Sequence, residues 1–373
     1  MTMFKMKKQT RKIILIVLVS ILSVVIIGVC SFTGYMYLKA DAAIEKIAAP
    51  KSEVKLKSVL KTNVVPEVTE EVQPVEVKKA NAFTFVLAGV DNREGSGGTM
   101  NSDVLMFGSL NMDTKLSTLV SIPRDVQLKP AELEARKINY YYAHYYAKDK
   151  DTAISNTKSF FSELLDLPLD YMIVIDFDGL RKIVDALGGL DIDVDMNMRY
   201  VDTADGTNIN LKKGLQHLNG KQALDFVRYR KSNMGTDESS DIARNGRQQQ
   251  VLSGMLNEMT SLGGITQWGN ILEIIGDHVK TDIPADQLRS WILHFSDIKP
   301  QEIRTMPLTS RWDNPYIYLM ENDVSVAFNA LRTQAGLTSD LTMNPADIMS
   351  TYPGEPAPEI EIPPDFIREH YMH

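Results

Sequence analysis

Four arginines crowd into RYRKSNMGTDESSDIARNGRQQQ, residues 228–250: Arg228, Arg230, Arg244 and Arg247. Guanidinium groups carry a forked set of donors that matches phosphate oxygens, so a cluster of them is suited to one multiply charged anion. The helix expected after Ser239–Ser240–Asp241, a favourable N-cap trio, has an apolar stripe through Val251, Leu252, Met255, Leu256, Met259 and Leu262. Continued backwards at steps of three and four, the stripe passes through Gln248 and Arg244. A core-facing stripe ending in Arg and Gln needs a partner, because unpaired buried charge is costly and a helix N-terminus already favours an anion. Arg228 and Arg230 share a face if FVRYR is extended. The competing reading pairs these arginines with Asp237, Glu238 and Asp241 in a solvated loop, and the inward stripe favours the anion site. Arg247 is the member expected nearest to solvent.

A second set of candidates is acidic. One apparent strand ends at Gly89-Val90-Asp91 and the next opens at Ser102-Asp103. If these strands are neighbours, both carboxylates lie at one sheet edge, where with arginine-bound phosphate they suggest a Mg²⁺ site. Each aspartate equally fits a simple turn or strand cap. The intervening NREGSGG is not a Walker-type loop, since no Gly-Lys-Ser/Thr follows it. In SIPRDV, Pro123 ends a buried strand and should hold Arg124 and Asp125 at its tip. The tyrosines of KINYYYAHYYA (137–147) read as packing in preference to ligand stacking. Metalloprotease, serine and cysteine nucleophile motifs are absent. A glycoside hydrolase, which needs two carboxylates across a sugar cleft, would leave the inward arginines unexplained.

The elements that must position these residues follow from the pattern. FTFVLAGV (83–90), VLMFGSL (104–110), LSTLVSIP (116–123) and YMIVIDF (171–177) read as buried strands, with NMDTK (111–115) as a hairpin connection. TAISNTKSFFSELLDL (152–167) and FDGLRKIVDALGG (177–189) have helical spacing, the second closed by a glycine pair. LDIDVDM (190–196) alternates as a half-buried strand, and 218–226 reads as a helix. Strands mixed with helices on this scale imply an α/β or α+β layered domain. The segment ILEIIGDHVKTDIPADQLRSWILHFSDI suggests two further helices, with Pro284 near the start of the second.

Composition sets the compartment. The chain has 373 residues and a formal charge of −8. Six of its 40 basic side chains and none of its 48 acidic ones precede residue 41, so the remainder carries −14. So acidic a body argues against nonspecific nucleic-acid binding. Residues 13–38 are apolar and uncharged, enough to span a bilayer, and Lys5, Lys7, Lys8, Arg11 and Lys12 precede them, which places residues 1–12 in the cytoplasm. The run is too long for a cleaved signal peptide. The single cysteine, Cys30, lies within it, so the exported part holds no thiol. Residues 39–80 read as a charged, extended linker, 81–345 as the globular domain, and 346–373 as a proline-rich tail.

In this order, VLAGVD, NSDVLM, VSIPRDV, KINYYYAHY, LLDLPLDYMIVIDFDGLRKIVDALGGLDIDV, INLKKGLQHLNGKQALDFVRYR and DIARNGRQQQVL resemble the LytR–CpsA–Psr family of Gram-positive cell-envelope proteins. The resemblance implies an α/β domain with a central mixed β-sheet flanked by helices, carried outside the cell on a single-pass anchor. It implies transfer of an anionic glycopolymer, such as wall teichoic acid or a capsular polysaccharide, from polyprenyl pyrophosphate to a muramic acid hydroxyl of peptidoglycan. By that likeness Asp91 and Asp103 bind Mg²⁺, while Arg124, Arg228, Arg230, Arg244 and Gln248 bind the pyrophosphate, with the lipid tail in an apolar groove. The proton of the attacking hydroxyl would pass to Asp91 or Asp125. The family usually has Arg-Ser-Asp where this chain has Asn101-Ser102-Asp103. Asn101 can hydrogen-bond phosphate but brings no charge, which keeps a noncatalytic, lipid-binding or regulatory envelope protein as the rival reading.

Overall fold

In the computed structural model, three strands rich in branched and aromatic residues set the central layer. The structure describes residues 34–48, 81–91, 100–203, 206–236, 238–239, 241–260, 262–294, 298–337 and 341–353. Strands β1 (Ala82–Val90), β2 (Ser102–Asn111) and β3 (Leu116–Ser121) are antiparallel neighbours. Every residue of β2 from Leu105 to Leu110 is buried, the mark of a strand covered on both faces. The expected hairpin at 111–115 is present. The Asn111 side chain accepts from the backbone N–H groups of Asp113 and Thr114 at 3.0 and 3.1 Å, as an Asx turn does.

Two short strands, β4 (Gln127–Leu128) and β5 (Arg136–Lys137), lead into helices α2 (Tyr140–Lys148) and α3 (Ala153–Leu164). These cross to β6 (Tyr171–Asp176), which lies parallel to β1. With β11 (Val279–Thr281) and β12 (Glu302–Met306) the sheet runs β11-β6-β1-β2-β3-β12, mixed in direction. The mixed sheet flanked by helices agrees with the expected fold class.

One face of the sheet, through Val86, Ala88, Phe107 and Val120, packs on Tyr141, Phe161 and Phe328. Phe328 comes from a helix, Glu321–Gln334, that sequence reading did not pick out. On the other side lie α4 (Phe177–Leu187), β7 (Leu190–Val194), the hairpin β8 (Met198–Asp202) and β9 (Thr207–Leu211), β10 (Gly214–Leu218) and α5 (Gly220–Arg228). The long helices α6 (Asp241–Thr260) and α7 (Leu262–His278) complete that layer, followed by α8 (Ala285–Leu293) with Pro284 at its N-cap.

Local rules account for the ends of these elements. Asp176 caps α4 by accepting from Gly179 N at 2.7 Å, and Gly188, at φ 94°, closes it in the left-handed region, as the glycine pair indicated. Helix α5 starts two residues later than expected because Leu218 pairs with Leu190, after which Asn219 and Gln222 form a capping box. FVRYR is therefore not a strand: Phe226, Val227 and Arg228 form the last turn of α5, and the chain extends only at Tyr229.

Residues 34–47 form a helix, α1, packed on α7, so 39–47, read from sequence as linker, are folded against the domain. Ala43, Ile44 and Ile47 are buried, and Lys46 and Arg289 pair with Asp277 and Asp41 across the contact. At the other end of the chain, Thr351–Tyr352 pairs with β14 (Tyr316–Met320), itself antiparallel to β13 (Ser310–Asp313). No described helix is long and apolar enough to cross a membrane. Residues 1–33, with Cys30 and most of the apolar run, lie outside the described residues, as do 49–80, 92–99 and 354–373.

Candidate functional site

The strand register makes the first junction. Val90 stands opposite Ser102, so Asp91, Asn101 and Asp103 lie at one end of this central strand pair, the neighbourhood that the sequence left conditional. Asn101, half-buried, directly precedes β2. Ser102 N–H donates to Asn139 O at 3.1 Å, which pins the start of that strand.

The second junction is the turn after β3. Val126 N–H donates to Pro123 O at 3.1 Å, which puts Arg124 and Asp125 at the tip of a tight turn. Arg124 Nη1 hydrogen-bonds Asp103 Oδ1, and its Nε lies 3.8 Å from Asp125 Oδ2. Asp125 is buried beneath three cations: Lys137 Nζ at 2.7 Å, Arg230 Nη1 at 3.2 Å and Arg124. Burial pushes its carboxyl up, but the hydrogen bond from Lys137 and the charges of Arg124 and Arg230 outweigh it and hold the group below the usual carboxylate range. A carboxylate so held orients cations well and accepts a proton poorly.

The arginines of 228–250 part company here. Arg228, the last residue of α5, points its Nη2 to within 4.0 Å of Asp91 Oδ2, with its guanidinium 5.4 Å from the Phe177 ring. Tyr229 is fully buried between two half-buried neighbours, and Arg230 beyond it reaches Asp125 instead. The two arginines thus serve the same cluster from an extended residue at a helix end and not from one strand face. Gln248 accepts from Ser121 Oγ, at the end of β3, at 2.9 Å. Arg244, one turn earlier on α6, is buried like Gln248, as the inward stripe required.

Arg247 does not face solvent. Only 2% exposed, it donates to both oxygens of Asp195 at 2.9 and 2.8 Å and to Tyr229 O at 3.2 Å, between the rings of Phe226 and Tyr229. It braces the segment that carries Arg228 and Arg230. Two neighbours escaped sequence reading. Lys137 was visible only as the first residue of a tyrosine-rich run, and Trp312 on β13 sits with Arg230 and Lys137 at 5.5 and 5.7 Å from its ring centre. The tyrosines themselves fit the packing reading, since Tyr141 and Tyr142 are buried and burial raises the Tyr141 hydroxyl to about 12.

Together, Arg124, Arg228, Arg230 and Lys137 face Asp91, Asp103 and Asp125, an excess of positive charge on half-buried groups. Such a site favours an anion with several oxygens. Among the described residues no cluster of three or more His, Cys, Asp or Glu is arranged to hold a metal ion.

The LytR_cpsA_psr family profile matches residues 34–333. The chain belongs to the LytR–CpsA–Psr family. Two curated relatives come from Bacillus subtilis (strain 168). Polyisoprenyl-teichoic acid–peptidoglycan teichoic acid transferase TagU is 27% identical over 283 residues, 76% of this chain and 82% of TagU. Its counterpart TagV is 28% identical over 305 residues, 81% of this chain and 71% of TagV. The crystal structure of Bacillus subtilis TagV superposes with a TM-score of 0.53 at 26% identity, over 70% of this chain and 99% of that one.

Proposed function

We propose that this LytR–CpsA–Psr protein is a membrane-anchored phosphotransferase with its domain outside the cell. It moves an anionic glycopolymer, wall teichoic acid or a capsule-like polymer, from polyprenyl pyrophosphate to a muramic acid hydroxyl of peptidoglycan. The observation that carries this reading is the convergence of Arg124, Arg228 and Arg230 on carboxylates from three separate chain segments. The curated relatives' transferase names support the reaction class, and the uncharged run at 13–38 after a basic N-terminus supports the anchor.

In the proposed reaction the pyrophosphate lies against the arginines, with Arg244 and Gln248 on α6 closing the site from the other layer. The acceptor hydroxyl attacks the phosphorus bearing the polymer. A new P–O bond forms, the bond from that phosphorus to the bridging oxygen breaks, and polyprenyl phosphate leaves with the bond's electrons. The guanidinium groups neutralise the charge that grows on the leaving phosphate, the main contribution a protein makes to this chemistry. The hydroxyl proton passes to a site carboxylate, Asp91 in preference to Asp125, whose basicity the three cations lower. Asp91 and Asp103 supply hard oxygen donors that would hold Mg²⁺, and the ion would add further charge neutralisation.

Asn101 favours a second reading, in which the protein binds the lipid pyrophosphate without turning it over. Incubating the full chain in detergent with lipid-linked polymer, Mg²⁺ and peptidoglycan separates the two. The transferase reading expects polyprenyl phosphate released and polymer bound to peptidoglycan. Binding without release, restored to release by Asn101→Arg, would establish the second.

A further inference from the structure

Trp312 is not a core residue: it is 52% exposed, and Arg311 and Asp313 beside it on β13 are exposed as well, so this edge strand feeds little into a core. Yet its strand is fastened to the site. Trp312 pairs with Ile317, which is buried, and Ile317 N–H donates to Asp125 O at 3.0 Å. The β13–β14 hairpin is thereby fastened to the same turn that carries Arg124 and Asp125. Arg230 and Lys137 each touch both Asp125 and the ring. A half-exposed aromatic ring thus stands at the rim of the cation cluster, within reach of both cations.

We propose that Trp312 is a stacking platform for a pyranose ring adjoining the phosphate in the site, a proposal that rests on the phosphotransferase reading above. A pyranose offers an apolar C–H face to an indole and a rim of hydroxyls to charged neighbours, here Arg230, Lys137 and Asp313. A prenyl chain would need continuous apolar walls, which these charged neighbours deny it. The sugar is either the first residue of the donor polymer or the acceptor residue of peptidoglycan, which share this chemistry.

The test uses the full chain in detergent, with wild type, Trp312→Ala and Trp312→Phe titrated by calorimetry. The probes are farnesyl diphosphate, the same diphosphate bearing N-acetylglucosamine, and a peptidoglycan tetrasaccharide added to the farnesyl diphosphate complex. Trp312→Ala is expected to leave farnesyl diphosphate affinity within twofold and to weaken one sugar-bearing probe about tenfold, the effect of losing an aromatic stacking partner. Trp312→Phe should recover part of that loss. Weakening of the sugar-linked diphosphate assigns the platform to the donor, and weakening of the tetrasaccharide assigns it to the acceptor. Equal weakening of all three probes would reduce Trp312 to a prop for Arg230 and overturn the proposal, as would no change in any. The underlying reading fails separately, if Arg228→Ala/Arg230→Ala leaves farnesyl diphosphate binding intact.

Discussion

Asp125 shows how a residue can belong to a site without reacting in it. Burial alone would raise its pKa, and Lys137, Arg124 and Arg230 together reverse the sign. A carboxyl whose folded pKa is depressed stabilises the fold above its unfolded value, about 3.9, and loses that contribution as pH falls through the lower folded value. Urea unfolding at pH 7, 5 and 3 should therefore show Asp125→Asn less stable than wild type at pH 7 and pH 5. The gap should narrow by pH 3. A constant gap would mean that hydrogen bonding and not charge is what Asp125 provides. At this scale the sequence was informative about residue types and less so about directions. The inward stripe located Arg244 and Gln248 because helical period alone decides which face is buried. Arg247 was misplaced because the carboxylate that makes its burial tolerable, Asp195, lies 52 positions away, and spacing carries no sign of such a pairing.

Among elements, α4 and α5 decide where Arg228 ends up. Gly220, the first residue of α5, donates its N–H to Asp185 Oδ1 at 2.7 Å, and a Cβ there would collide with the Arg181 carbonyl oxygen of α4. Gly220→Ala should push the helices apart at a cost of about 1–3 kcal/mol, since backbone atoms cannot yield as a side chain would. It should also weaken diphosphate binding, because Arg228 sits at the far end of the displaced helix. A lowered melting temperature with unchanged affinity would show that Arg228 follows the Tyr229 anchor instead. The strands β1 to β3 and the helices α3 and α4 were legible, since their apolar periods are strong and their ends carry Asn, Pro or Gly. The β13–β14 hairpin was not. SRWD has no alternation because its side chains are mostly exposed, so the element that brings Trp312 to the site leaves no hydrophobic signature.

For the molecule as a whole, the helix at 34–47 ties the domain to whatever precedes it. Its ion pairs are largely exposed and worth little, so the contact rests on Ile44 and Ile47, each contributing about 2 kcal/mol by burial. A chain beginning at residue 81 should melt several degrees below one beginning at residue 34. Equal melting would mean that the helix does not hold to α7 in solution. The sequence masked this contact because the segment runs on from the apolar stretch at 13–38, and the face it packs on lies on α7 some 230 positions further on.

The central claim is that the arginines at 228 and 230 hold a lipid pyrophosphate, and a binding titration tests it most directly. Full-length protein in detergent would be titrated with a polyprenyl pyrophosphate, with and without Mg²⁺, beside Arg228→Ala/Arg230→Ala. The account predicts that the double variant binds about a hundredfold more weakly or worse, the loss expected for charge-assisted hydrogen bonds from two guanidinium groups. Equal affinity in both proteins would make the cluster an internal ion-pair network around Asp91 and Asp125, and would contradict the account.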